Sequence, residues 1–412
     1  MKDNRLLKKI IFIWLAVMCT MDYFFPSGSW VARLLIWGIN GLLFTVWFTK
    51  NISQKRGFIP FRERGIVIVL YLFLFCICIS IFFSHYPLAG IRQAFPLLVG
   101  LLDVYIFYDF LSRSKENMYF LLKTITFLTF FVSCWATIES FYRLSLGESL
   151  FKNIYAGFCN QNFLGYFLFL FTPLIISYYF INSPFQGKYM TCRFLLIIIT
   201  GYALILSSSR SSWNGFIMAM AFLLFWKSKA LGIGILLLSI MVNSLIYILQ
   251  GGQMYQTAWQ GVYMDRAAAW NIYWDLILKN PFFGIGWGVI PQGATHAHSL
   301  YLSDAAQMGV FSIILILAFY MLFFYGSLQI EKKITDPHLR AILLGSTATY
   351  FGQMFYGLTD LSGILASFCA TSISFLPYIL IAMPLAIRNF CQQQQEEDES
   401  HESGDIIPTA AS

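Results

Sequence analysis

An all-α integral membrane protein of about twelve transmembrane helices, with one large outer-face loop containing amphipathic helix, is the fold class the sequence predicts. The first observation is polarity. Charged residues fill 11% of the 412 positions and hydrophobic ones 58%, against roughly 25% charge in a soluble domain, and mean hydropathy is +0.66. The second is the length of the apolar runs: a hydrocarbon core about 30 Å thick needs about 20 apolar residues per helix, because backbone polar groups cannot stay unpaired in lipid. The third is where lysine and arginine fall between those runs.

Twelve segments meet or approach the spanning length, at residues 10–25, 30–48, 66–83, 95–111, 118–141, 163–181, 194–208, 215–226, 230–249, 309–326, 341–358 and 364–387. The eighth is short for a span taken alone. Alternating from an inner N-terminus, the inner loops and helix ends collect 19 of the 27 Lys and Arg residues, from Lys2, Arg5, Lys8 and Lys9 through Lys50–Arg64 to Lys332, Lys333, Arg340 and Arg388. That is the bias short cytoplasmic loops carry. Lys123 lies near the inner end of its helix, and the outer side keeps Arg33, Arg92, Arg143, Lys152, Arg210, Arg266 and Lys279. Both termini are therefore expected inside.

The net charge of +7 reports this topology and not a nucleic-acid partner. The first segment has a basic flank, but no small-x-small cleavage site follows Phe25, so it is expected to stay as an anchor. Of the eight cysteines only Cys159 falls in a clear outer loop, which indicates no disulfide framework.

Four regions follow: a transmembrane bundle over 1–249, an outer-face loop over 250–308 that is the natural place for chemistry, further transmembrane helices over 309–391, and a disordered inner tail over 392–412. In the loop, Arg266–Leu278 (RAAAWNIYWDLIL) has helical spacing with Trp270, Trp274 and Ile277 on one side, and ends where Pro281 stops a helix. It predicts an amphipathic helix on the membrane surface. PFFGIGWG, 281–288, then supplies three glycines for a tight irregular loop. A second outer loop, 143–162, ends in GFCNQN. No solenoid repeat is visible, nor the paired broken helices of an inverted-repeat transporter.

Outer-face arginines are exceptions to the positive-inside bias, so each is weighed. Guanidinium forks suit phosphate oxygens through paired, charge-assisted hydrogen bonds; the bland alternative is a snorkelling side chain anchored at lipid headgroups. Arg210 in SSSRSSW and Arg266 at the head of the aromatic helix favour function, Arg33 and Arg143 favour anchoring, and Arg92 is open between the two. His296 and His298, in THAHSLYLSDAAQMG, admit three roles: zinc ligands, structural histidines, or a general base that accepts or orients a hydroxyl proton. Zinc needs further donors, and the loop offers only scattered Asp265, Asp275 and Asp304. The base role is preferred, with His298 opening a helical run through Leu302, Ala305 and Gly309, and His296 in the loop before it. His85 could join the arginines. Asp22, Asp103, Asp109 and Glu139 are expected to be paired, and Asp360, in GLTDLSG, to pair with an outer arginine.

In this order of parts the sequence resembles the O-antigen ligase and polymerase superfamily of bacterial membrane glycosyltransferases. SSSR with Arg210, DRAAAWNIYWDLILKNPFFGIGWG, and HSLYLSDAAQMGVFS carry the resemblance, with His298, Ser299 and Gly309 in the family's His-(Asn/Ser/Gln)-x9-Gly-x-x-Gly pattern and Ser312 in place of the last glycine. GFCNQNFLG is a weaker fourth match. The resemblance implies metal-independent, inverting transfer of a glycan from undecaprenyl diphosphate at the periplasmic face of the inner membrane, with no cofactor. It also implies that Arg210 and Arg266 hold the diphosphate, with Arg92 and His296 as further substrate contacts, and that His298 prepares the acceptor. The expected acceptor is lipid A-core oligosaccharide; a growing polymer or a protein would use the same donor chemistry, and a flippase of lipid-linked sugars is the rival from another class.

Overall fold

Apolar runs flanked by caps and turns become helices, and no strand occurs among the described residues. The computed structural model describes residues 5–24, 29–55, 57–148, 154–158, 160–181, 190–237, 266, 268–291, 297–360 and 372–402. In chain order the helices are α1 (Arg5–Phe24), α2 (Trp30–Ser53), α3 (Arg64–Phe82), α4 (Pro87–Leu111), α5 (Lys115–Ser145) and α6 (Gln161–Ile176), the last continued by a π-helical turn, Ser177–Ile181. Then come α7 (Met190–Leu206), α8 (Arg210–Lys227), α9 (229–237), α10 (268–279), α11 (Leu300–Met308), α12 (Phe311–Glu331), α13 (Pro337–Thr359), a 3-10 turn at Ser372–Phe375 and α14 (Leu376–Glu402).

The expected segments fall on these helices, apart from residues 238–249 and 364–371, which lie outside the described set. Among the described residues six helices are long and apolar enough to cross a membrane: α2, α3, α4, α5, α6 with its π turn, and α12. The apolar α7 is shorter. The protein is therefore a multi-pass membrane protein. α13 shows why a helix of the bundle can fall below a hydropathy threshold. Its Ser346, Thr347, Thr349 and Gln353 lower its hydropathy, yet all four are buried in the bundle, where protein and not lipid surrounds them.

α13 packs between α6 and α8 through small residues. A Cβ on Gly352 would overlap the Gly215 carbonyl of α8, so only glycine permits this backbone approach, the usual device where helices meet inside a membrane. Polar groups there find partners: Thr349 Oγ1 donates to the Leu170 carbonyl at 3.2 Å, Gln353 Nε2 to the Tyr166 hydroxyl at 2.5 Å, and Ser177 Oγ to the Ala341 carbonyl at 2.8 Å.

Two boundaries differ most from the sequence expectation. α4 begins at Pro87 and not at 95, because proline is suited to a helix's first turn, where its missing N–H leaves nothing unsatisfied. α14 continues to Glu402, so residues 392–402 of the expected disordered tail are helical; Arg62 holds Glu396 at 2.6 Å, and 403–412 lie outside the described residues.

The two ends of the bundle differ in charge. At one end Arg113 pairs with Asp109 at 2.6 Å, Lys115 with Asp336 and Arg388 with Glu63, each at 3.4 Å, and Arg340 with Glu331. Asp109 also accepts from the Trp47 indole at 2.9 Å. Burial pushes the Asp336 carboxyl up, but the N–H groups of Leu339 and His338 and the Lys115 ammonium outweigh it and hold it below the usual carboxylate range. The opposite end carries the starts of α2, α4 and α8, the end of α13, and α11.

Candidate active site

At that opposite end, serines fix the α7–α8 corner. Ser209 Oγ and Ser212 Oγ are 2.8 Å apart, Ser207 Oγ donates to Leu204 O at 2.7 Å, and Gly165 of α6 lies against all three serines with no room for a Cβ. Arg210 is the first residue of α8; its side chain is exposed while Ser209, Ser211 and Ser212 are buried. The fourth sequence match earns a structural account here. Asn160 of GFCNQN caps α6, its side chain accepting from Phe163 N at 3.0 Å, and Gly165 is the close contact to the Arg210 corner.

The end of α13 gathers the remaining parts. The Thr359 carbonyl accepts both Ser211 Oγ at 3.2 Å and Arg266 Nη1 at 3.5 Å. One residue on, the Asp360 carbonyl accepts the Leu300 N–H at 3.0 Å, two residues after His298. Segments that begin at 210, 266 and 298 thus share two consecutive carbonyls. Asp360 enters through its backbone, as the C-cap of α13.

His298 stands outside α11, contrary to the expectation that it opens the helix. Ser299 is the N-cap, extended at φ −151 and ψ 119, with its hydroxyl accepting from Leu302 N at 3.5 Å. Serine satisfies a free helix-end donor in a way the histidine ring does not. His298 itself takes φ +47, a left-handed conformation uncommon outside glycine and enriched at functional positions. Its side chain is half-buried. His296, Asp265 and Cys159 lie outside the described residues. Among the described residues no three His, Cys, Asp or Glu are grouped to hold a metal ion.

α10 forms where RAAAWNIYWDLIL predicts it, and part of its surface packs on the protein. Ala269, Tyr273 and Ile277 are buried, and Tyr273 and Ile277 pack with Ala297, Ala305 and Ala306 around α11; Trp274 is 55% exposed. Alanines carry little hydropathic signal, so the aromatic positions dominate the sequence pattern while the small ones make the close contact. Trp270 still serves the site, since its indole N–H donates to the Ala297 carbonyl at 2.6 Å, directly before His298. Burial pushes the Tyr273 phenol up, partly offset by the Ala297 backbone. In α11, Tyr301 donates to Met354 O at 2.9 Å, and burial, then the Asp304 carboxylate, raises its phenol.

The glycine loop behaves as its composition predicts. Gly284, Gly286 and Gly288 have φ of +67, +119 and +73. Ile285 N and Gly286 N donate to the Ala306 and Gln307 carbonyls at 2.9 and 3.1 Å, and Gly288 N donates to Gln307 Oε1 at 2.8 Å. Ser80 of α3 donates to the Gln307 carbonyl from the other side at 2.6 Å. A Cβ on Gly284 would overlap that carbonyl. Gly284→Ala is therefore expected to cost at least the 1–2 kcal/mol of a left-handed L-residue, roughly, and to lower the thermal unfolding midpoint of the detergent-purified protein. Gly57→Ala, where a Cβ meets nothing within 4 Å, is the control. Ser312, standing where the resemblance has a last glycine, is buried and donates to Gly309 O at 2.7 Å.

Arg92 does not stand with Arg210. It lines an open pocket of about 590 Å³ together with Arg33, Trp37, Phe95, Gly288 and Phe375. Gly288 and Gln307 mark the far end of α11 from Leu300, about 10 Å away along the helix at 1.5 Å per residue. Arg33, read from the sequence as a headgroup anchor, shares this pocket. One signal could have found it: Arg33 and Arg92 each lie about one turn inside a helix with an aromatic one turn later, Trp37 and Phe95. Arg143 is held by Glu139 and Glu148, both at 3.1 Å, and His85 is exposed in the α3–α4 turn.

Residues 195–317 match the family model described as O-antigen ligase. Over that stretch the chain is similar to the O-antigen ligase family. The matched stretch runs from α7 into the first turns of α12 and contains Arg210, Arg266 and His298, while Arg33, Arg92 and Asp360 lie outside it. A comparison of the whole chain with curated proteins gives no match.

Proposed function

We propose that this membrane protein is an O-antigen ligase, moving a glycan from undecaprenyl diphosphate to lipid A-core oligosaccharide at the periplasmic face of the inner membrane, with both termini cytoplasmic. The observation that carries this reading is the meeting of the Arg210 corner, Arg266 and the His298 segment on the Thr359 and Asp360 carbonyls.

The chemistry follows from the residue types. Arg210 and Arg266 grip the diphosphate oxygens, and their positive charge favours the transition state because negative charge grows on that group as the bond to the sugar breaks. His298 accepts the proton of the acceptor hydroxyl. The hydroxyl oxygen forms the new bond at the anomeric carbon from the face opposite the diphosphate, so the configuration inverts, and the electron pair of the broken bond leaves with the lipid diphosphate. Diphosphate is already a good leaving group, so positioning and electrostatics suffice, and the step uses no metal or cofactor. His296, beside His298, and Arg92 were expected to add substrate contacts; Arg92 is taken up below.

The test is a deletion strain examined by lipopolysaccharide gel. Complete core with accumulated lipid-linked polymer is the expected result. Core bearing one repeat unit would mark a polymerase of the same donor chemistry, and unchanged lipopolysaccharide would overturn the ligase reading in favour of another acceptor, such as protein.

A further inference from the structure

Arg33 and Arg92 differ from five of this protein's thirteen arginines. Arg62, Arg113, Arg143, Arg340 and Arg388 each have an acidic partner; Arg33 and Arg92 have none among the described residues. Yet α2 and α4 bring them to one pocket, where two like charges near one another are unfavourable unless an anion answers them. The charge is not there to close the fold, since both side chains are exposed and neither starts its helix: Ser29 Oγ caps α2 by accepting Ala32 N at 3.2 Å, and Pro87 opens α4.

Apart from Gln93 the rest of the pocket is apolar and aromatic. Trp37 packs on Phe95 with ring centroids 5.0 Å apart and edge-on to Phe375 at 6.0 Å, with Pro96 and the Gly288 backbone completing the lining. At about 590 Å³ the space is far larger than an inorganic phosphate and falls in the range of sites for drug-sized ligands. A bare anion would leave the rings unused, and a hydrocarbon would leave two forks unanswered. One ligand chemistry uses both halves: a phosphate ester carried on a lipid, entering from the membrane boundary.

We propose that the Arg33–Arg92 pocket is a second anion site that binds a phosphate-bearing lipid other than the glycan donor, the phosphate between the two guanidinium forks and the apolar body against Trp37, Phe95 and Phe375. It is separate from the Arg210–Arg266 site, at the other end of α11. Its role as the foothold of a membrane-anchored acceptor rests on the proposed function; the binding itself does not.

The experiment is native mass spectrometry of the full chain in detergent, titrated with dioleoyl phosphatidic acid. The wild type is expected to retain the lipid, and the Arg33→Gln/Arg92→Gln pair to bind it about tenfold or more weakly, the scale of losing hydrogen bonds between charged groups. Arg210→Gln/Arg266→Gln is expected to bind it as the wild type does, and Arg33→Lys/Arg92→Lys, which keeps the charge and loses the forks, to fall between. Unchanged binding by the glutamine pair overturns the proposal. So does loss of binding in the Arg210/Arg266 pair, which would mean one shared site, or displacement by equimolar inorganic phosphate, which would mean that the aromatic wall contributes nothing. Glycan transfer enters none of these readouts, so a failed ligase assignment leaves the test intact.

Discussion

Replacing His298 with alanine is expected to abolish glycan transfer, a loss of about 10²–10⁴-fold if the imidazole is the base, while the protein still inserts in the membrane. The expectation rests on what holds His298. Its neighbours are fixed by groups other than its own ring: Ala297 by the Trp270 indole, Ser299 by its capping contact to Leu302, Leu300 by the Asp360 carbonyl. Removing the imidazole leaves these tethers in place. Alanine does meet some strain at φ +47, so His298→Asn is the sharper variant, because asparagine tolerates the left-handed region and cannot serve as the base. Transfer assayed with purified protein, beside an immunoblot of the membrane fraction, decides it. Activity near wild type in the asparagine variant removes His298 from the chemistry.

The second large effect is expected at the cations. Arg266→Gln and Arg210→Gln should each lower kcat/KM for the lipid-linked donor by about 10²–10³-fold, the usual scale for losing one donor to a developing negative charge. Both act on one leaving group, so the double variant should lose less than the product of the two. Arg266→Lys should recover part of the loss, since it keeps charge without the planar fork. Arg143→Gln should change little, because Arg143 is already taken by Glu139 and Glu148. Equal losses at Arg143 and Arg266 would mean that general surface charge, and not a built diphosphate site, governs the rate.

The sequence is most legible where a residue type carries its own geometry. Three glycines in PFFGIGWG announce a backbone only glycine adopts easily, and all three have positive φ. Pro281 marks the end of α10 well, and the order of arginine, surface helix, glycine loop and histidine helix locates the parts of the site before any coordinate. Periodicity was less informative. It placed α10 and its aromatic side, but nothing local says that Tyr273 and Ile277 would meet α11's alanines. It also drew His298 into α11, because a hydrophobic count cannot tell a helix's first residue from the residue before its cap.

What no local pattern holds is the pairing of distant helix starts. Arg33 and Arg92 lie near the starts of α2 and α4, and the packing of Trp37 on Phe95 joins them in one pocket. Likewise Ser211 and Thr359 are separated by most of the second half of the chain, and their contact follows from the close approach of α8 and α13 at Gly215 and Gly352. The span count is hard to read for a related reason: hydropathy cannot distinguish a helix facing lipid from one such as α13 that other helices enclose.

α11 is nine residues long and is gripped at its head by the Asp360 carbonyl and at its tail by Ser80 and the glycine loop. A rod clamped at both extremities works as a gauge. Any single molecule that touches both the histidine corner and the far arginines must have a polar headpiece of matching reach, and shortening the rod by a turn would reject it without altering either contact.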